Sequence, residues 1–216
     1  MRRMPKIVPI GEGKGESKAA QLLYKKVLKF LDRTDIYVDD ALIAKGIGNL
    51  TKAGGIEKFI DLAFTSRDCG AVIVLVDADD LCPMTLANHL AQRVRQFGVI
   101  FPVAIVVAKC EYEVWFLASL ASIKGQMLGK RPGIPQDAKY IGTIEDLSDV
   151  KKWLSKQLPG NQIYKEATDQ EAMTKLIDVE TARANSRSFR RLCHAVEEML
   201  AAIDSGEKVV TPLAKG

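Results

Sequence analysis

Ala71-Val-Ile-Val-Leu-Val-Asp-Ala-Asp-Asp80 is the stretch that decides the fold. Its first six residues are apolar without alternation and rich in β-branched side chains, which describes a strand covered on both faces, the kind found in the middle of a parallel sheet. Val103-Ala-Ile-Val-Val107 has the same character, Lys6 to Ile10 reads as a first strand and Ile36 to Ala44 as a second. Segments of helical period separate them. Ala20, Leu23, Val27 and Phe30/Leu31 recur every three to four residues between Glu16 and Leu31, Ile56, Phe59, Ile60 and Ala63 share one face of Gly55 to Ser66, and Pro83 opens a helix carrying Leu86, Leu90 and Val94. Strands alternating with helices predict an α/β fold with a mainly parallel sheet and flanking helices.

The character changes after Gly125. Trp115 to Ala121 reads as a largely buried helix, residues 126–142 as a loop, and three helices are expected at about 146–158, 170–182 and 187–203. The division is therefore an α/β domain over 1–125, a C-terminal helical extension packed on it over 126–204, and a flexible tail over 205–216. Trp115, Phe116, Trp153, Phe189 and His194 are read as core.

Composition narrows the class. With 216 residues, 47% hydrophobic and 27% charged, the chain is long enough to bury a core without disulfides or a structural metal. A membrane span needs about 18 consecutive apolar residues, and the most apolar stretch, Phe101 to Ala121, is interrupted by Lys109, Glu111 and Glu113. No signal-peptide core follows the N-terminus, so a cytoplasmic protein is expected. Cys69, Cys82, Cys110 and Cys193 lie far apart, without the spacing of a zinc site, and are expected to be reduced.

Ligand sites of open α/β sheets form at the carboxyl ends of the strands. Here the first strand leads into Glu12 and Glu16, the central strand into Asp77, Asp79 and Asp80, and the next into Glu111 and Glu113. Seven carboxylates gathered without a counter-ion would repel or take up protons, and hard oxygen donors without His or Cys suit Mg²⁺ or Mn²⁺. The plainer reading of each acid is a helix cap or a favourable first-turn charge, Asp80 before Pro83 and Glu16 among them. The loop Gly11-Glu-Gly-Lys-Gly-Glu16 matches neither G-x-G-x-x-G nor the P-loop, and its glycines serve a tight turn.

These residues resemble a known family. A Glu in a glycine-bearing loop after the first strand, with Asp-x-Asp after a later central strand, resembles the TOPRIM (topoisomerase-primase) domain. The form Glu12-Gly-Lys-Gly-Glu16 is similar to nucleases of the overcoming-lysogenization-defect type. The ordered set Gly11-Glu-Gly, Val76-Asp-Ala-Asp-Asp80, Glu111-Tyr-Glu-Val-Trp-Phe-Leu-Ala118 and Ser186-Arg-Ser-Phe-Arg-Arg191 looks like the bacterial domain of unknown function 4276. One departure is Pro83 after Asp80-Leu-Cys, where many TOPRIM proteins carry Gly.

The resemblance implies a TOPRIM/Rossmann-like fold and a Mg²⁺-dependent nuclease, with relatives beside ATPases in phage defence. Metal ligation falls to Asp77, Asp79, Asp80, Glu111 and Glu113, and catalysis to Glu12, Glu16 and Lys109. Lys14, Arg187, Arg190 and Arg191 would bind nucleic acid, DNA before RNA; an ATPase partner and a homodimer are compatible with this reading. The arginines have a plain alternative, ion pairs to Glu197, Glu198 or the acidic site, although cations in a helix's first turns call for some negative partner. Two other functions remain open: a non-catalytic nucleic-acid or nucleotide-binding subunit of an ATPase, and a phosphoryl-transfer enzyme, which lacks the Ser or Thr expected at a strand end. Charge fits a polyanion partner. Without the seven site carboxylates, the net charge of +4 becomes 31 cations against 20 acids, or +11.

Overall fold

The computed structural model describes residues 4–213, and for residues 14–16 the backbone alone. In chain order the elements are β1 (Lys6–Gly11), α1 (Lys14–Phe30), β2 (Tyr37–Val38), β3 (Leu42–Ile43), α2 (Gly48–Thr51), α3 (Gly55–Phe64), β4 (Cys69–Asp77), α4 (Pro83–Phe97) and β5 (Val103–Ala108). Then follow α5 (Val114–Ala118), α6 (Leu120–Ile123), β6 (Met127–Leu128), β7 (Arg131–Pro132), α7 (Val150–Gln157), α8 (Glu171–Leu176), α9 (Val179–Asn185), α10 (Arg187–Ser205) and β8 (Val210–Thr211). The main sheet runs β2-β1-β4-β5-β8, with β3 also on β1, and every pairing in it is parallel.

The strand at 71–76 is central because its side chains supply both layers of the core. Ala71, Ile73 and Leu75 pack into the layer built by α1, α5 and α10, while Val72, Val74 and Val76 pack into the layer built by α3 and α4. β5 divides in the same way, Ala104 and Val106 against Val103, Ile105 and Val107. Each fully buried Val, Leu or Ile contributes about 1.5–3 kcal/mol relative to exposure, so the pair of strands contributes substantially to the hydrophobic stabilisation. The chain is thus an α/β protein with a mainly parallel sheet, flanking helices and a C-terminal helix, as its sequence predicts. Among the described residues no helix is long and apolar enough to cross a membrane, and all four cysteines are free.

Several boundaries differ from expectation. The second strand is two short pieces; between them Asp39 keeps its N–H on the Ile7 carbonyl (2.9 Å), while its carboxylate accepts from Ser66 Oγ (2.7 Å), the Asp40 N–H (3.0 Å) and Lys6 Nζ (3.4 Å). The helix expected at 170–182 is α8 and α9, broken where Asp178 caps α9 by accepting from the Thr181 N–H (2.8 Å). Residues 126–142 include the β6–β7 hairpin. The tail expected to be flexible supplies the sheet's outer strand: Val210 and Thr211 are buried and pair with Val103 and Ala104. Trp115, Phe116 and Phe189 are core, whereas the His194 side chain is 48% exposed and pairs with Glu197 at 3.0 Å.

Topology marks one place on this sheet. The connection from β1 to β2 crosses the face covered by α1, and the connection from β3 to β4 crosses the opposite face with α3. The carboxyl ends of β1 and β4 therefore flank a switch point, where a crevice opens in sheets of this kind.

Candidate functional site

Glu12 follows β1 directly, and its carboxylate lies across the switch point. The Asp77 backbone N–H donates to Glu12 Oε1 (2.9 Å), and the backbone of Ile47 also hydrogen-bonds the carboxylate. Burial raises the Glu12 pKa above the usual carboxylate value; the hydrogen bonds oppose this, and the negative charge of Asp79 adds to it. Glu12, Asp77 and Asp79 thus form one electrostatic unit across two adjacent strand ends. The same bonds have a structural role, since they tie β1 to β4.

Backbone strain gathers beside them. Asp79 (φ 46°) and Cys110 (φ 61°) both adopt left-handed conformations, one after β4 and one after β5, and the Asp79 N–H donates to the Cys110 carbonyl at 2.8 Å. Aspartate tolerates this region better than cysteine, and such conformations cost roughly 1–3 kcal/mol each when not glycine. Holding two of them side by side turns Asp79, Asp80 and the 109–111 segment toward a shared cavity of about 620 Å³, lined by Asp79, Asp80, Lys109, Glu111, Glu145 and Asp146 among others.

Glu111 and Glu113 meet a partner that strand-end reasoning did not foresee. Lys151, in the first turn of α7, places Nζ 3.1 Å from Glu111 Oε2 and 3.9 Å from Glu113 Oε2, and also pairs with Glu166. Glu111 Oε1 accepts from the backbone N–H groups of Val150 (2.8 Å) and Lys151 (3.3 Å), so it caps α7. Glu113 is fully buried and does not line the cavity. It accepts from Tyr164 Oη (2.7 Å) and Gln170 Nε2 (3.2 Å), and burial pushes its carboxyl up to about 7.

The arginines at the start of α10 find negative partners inside the chain. Glu145, 6% exposed, accepts from Ser186 Oγ (2.8 Å), the Ser188 N–H (2.8 Å) and Arg187 Nε (3.3 Å), and the hydrogen bonds hold its carboxyl below the ordinary value against the opposing effect of burial. Arg191 pairs with Glu198 (3.2 Å) and Arg183 with Glu197 (3.3 Å). An external anion is therefore not required to balance this helix start. Among the described residues, Lys109 and Arg190 make no ion pair. The side chains of Lys14 and Glu16 lie outside the described residues.

The structure thus brings together Glu12, Asp77 and Asp79, and on the adjoining wall Asp80, Lys109 and Glu111, while Glu113 stands behind Lys151. Glu145, Asp146 and Lys151 were missed; the acidic pair Glu145-Asp146 shortly before a lysine-bearing helix start was their only signal. The donors fit a hard divalent cation in kind: all are carboxylate oxygens, and a cation would relieve the repulsion between Glu12 and Asp79. Among the described residues no three His, Cys, Asp or Glu side chains are already gathered as a ligand set. Comparison with curated proteins and with solved structures finds no match. A family model matches residues 11–197, most of the chain, which therefore belongs to the family described as domain of unknown function 4276.

Proposed function

We propose that this chain is a TOPRIM-like, Mg²⁺- or Mn²⁺-dependent nuclease acting on nucleic acid phosphodiesters, in the cytoplasm and with the ATPase partner of phage-defence relatives that the sequence resemblance implies. The observation that carries the reading is the acidic junction at the switch point, Glu12 bonded to the Asp77 backbone and raised in pKa beside Asp79. Asp77 and Asp79 would hold the ion. When bound, it supplies an activated water and neutralises charge on the phosphodiester. Glu12 is suited to hold or pass a proton, since its raised pKa brings it toward the range of a general acid or base. Lys109, unpaired among the described residues and lining the cavity, would meet a phosphate oxygen.

The Lys151 network favours a second reading. Its ammonium already pairs with Glu111 and Glu113, so a second metal position would have to take both of these ligands from it. That supports a binding subunit that recruits nucleic acid or a nucleotide without cleaving it. Nicking of supercoiled plasmid separates the readings. With Mg²⁺ or Mn²⁺ the wild type is expected to nick, and Glu12→Gln and Asp77→Asn to lose at least about a hundredfold in rate. Equal nicking by all three proteins would sink the assigned site, and metal-dependent binding without nicking would establish the subunit reading.

A further inference from the structure

Among the described residues, β8 covers the first part of the outer edge of β5, pairing Val210 with Val103 and Thr211 with Ala104. The Val103 N–H donates to the Val209 carbonyl on that side (2.8 Å). Backbone groups alternate sides along a strand, so the N–H and C=O of Val107 face the same way, beyond the last paired residue of β8. A cleft of about 670 Å³ opens there, with the N-terminal ends of α4 and α10 on its walls. Met84, Ala87, Ile105, Val107 and Pro212 make most of it apolar, and Met84 is 61% exposed. Its charged groups are Lys109, Arg187, Arg191 and Glu145, of which Lys109 and Glu145 also line the acidic cavity. The two spaces are therefore neighbours that share a charged boundary.

We propose that this cleft is a nucleotide subsite: the base lies against Met84 and Pro212 with its edge toward the Val107 backbone, and the phosphate is held by Lys109, Arg187 and Arg191 at the boundary with the acidic cavity. The volume falls within the roughly 300–1,000 Å³ of small-molecule sites, which are mostly apolar with a few placed polar groups. Charge complementarity selects the occupant. A flat apolar ring joined to an anion matches an apolar slot ending in three cations against the one carboxylate of Glu145, and a strand edge offers a base one donor and one acceptor. The N-terminus of α4 adds to the positive potential, and guanidinium groups bind phosphate well. The inference deepens the proposed nuclease reading and rests on it for the placement of the phosphate beside the acidic cavity.

Cys82, exposed and on the cleft wall, supplies a readout that does not depend on catalysis. Hydrogen bonding with Thr85, then Met84, and the charge of Lys109 lower its thiol pKa, whereas burial raises those of Cys69, Cys110 and Cys193. Iodoacetamide should therefore alkylate Cys82 first, which mass spectrometry of the full chain can follow. The probes are 5′-AMP, a short oligodeoxyadenylate and ribose 5-phosphate, all in EDTA. We expect 5′-AMP or the oligonucleotide to slow Cys82 alkylation by roughly tenfold when the site is near saturation, with ribose 5-phosphate far less effective. Protection by the oligonucleotide alone assigns the site to a nucleotide within a chain, and protection by 5′-AMP assigns it to a free nucleotide. Met84→Glu, at an exposed position, should weaken binding of the protecting probe by roughly tenfold or more with no change in melting temperature. The proposal is overturned if no nucleotide protects, if ribose 5-phosphate protects as well as 5′-AMP, or if Met84→Glu binds like the wild type. Lost nicking with intact Cys82 protection would count against the nuclease reading alone, and intact nicking without protection against the subsite alone.

Discussion

At the residue scale Glu113 is a costly side chain to bury. A fully buried carboxylate has lost its water, and its hydrogen bonds from Tyr164 and Gln170 together with Lys151 at 3.9 Å do not restore the ordinary pKa; burial wins and leaves the group titrating at about 7. An acid whose pKa is higher folded than unfolded binds protons more tightly in the native state. Its stabilising effect is complete below about 4.5 and is lost as pH rises toward about 7. Glu113→Gln keeps a carbonyl to accept from Tyr164 and removes the titration. We expect the variant to be more stable than wild type at pH 8, by at most about 3 kcal/mol, with the difference vanishing at pH 4. Urea denaturation across that range checks it; a wild-type advantage at pH 8 would show that the Lys151 pairing outweighs desolvation. The sequence displayed Glu111 and Glu113 as an i, i+2 pair after a strand, which looks like a metal motif. What claims them is Lys151, 38 residues beyond Glu113, and that partnership is set by how α7 packs, which no local spacing encodes.

At the scale of elements, legibility followed the number of residues that share one pattern. β4 was plain because six consecutive side chains are apolar, and α10 because Phe189, Leu192, Val196 and Leu200 recur on one face over about three turns. β8 was invisible because two residues carry no period; its place is chosen by the unpaired edge of β5, more than a hundred residues earlier. That edge makes β8 testable. Arg95, on α4, donates to the carbonyls of Val210 (3.2 Å) and Pro212, so the strand is clamped to a helix as well as to the sheet. Ending the chain at Gly206 removes the burial of Val210, about 1.5–3 kcal/mol, and exposes β5 as an aggregation-prone edge. The expected result is a melting temperature lower by roughly 3–10 °C, with concentration-dependent association by light scattering. An unchanged melting curve would show that β5 needs no outer strand.

At the scale of the whole molecule, internal pairing revises the charge argument. The basic body of +11 assumed that the seven acids serve a metal and the cations serve a polyanion. Instead Lys151 is committed to Glu111, Glu113 and Glu166, Arg187 to Glu145, and Arg191 to Glu198. Those commitments are unequal. The Arg191–Glu198 pair is 35% and 39% exposed, and pairs of this kind contribute only about 0–1 kcal/mol; Glu145 is buried but keeps its hydrogen bonds from Ser186 Oγ and the Ser188 N–H when the exposed Arg187 turns to a phosphate, so a phosphate can displace both carboxylates at small cost. Lys109 and Arg190 have no ion pair to give up among the described residues. If all four cations contact phosphate, duplex binding should weaken with salt at a slope of log K against log salt near −4, since each neutralised phosphate contributes about −0.9. If the two pairs hold, the slope falls to about −2. Because exchange is cheap, the steeper value is expected. Fluorescence anisotropy of a labelled duplex titrated at several KCl concentrations measures it, and Arg190→Ala should make the slope shallower by about one unit without altering the melting temperature. A slope near zero would mean that the cations around the acidic cavity do not recruit DNA, and the basic face would then be only a network of intrachain pairs.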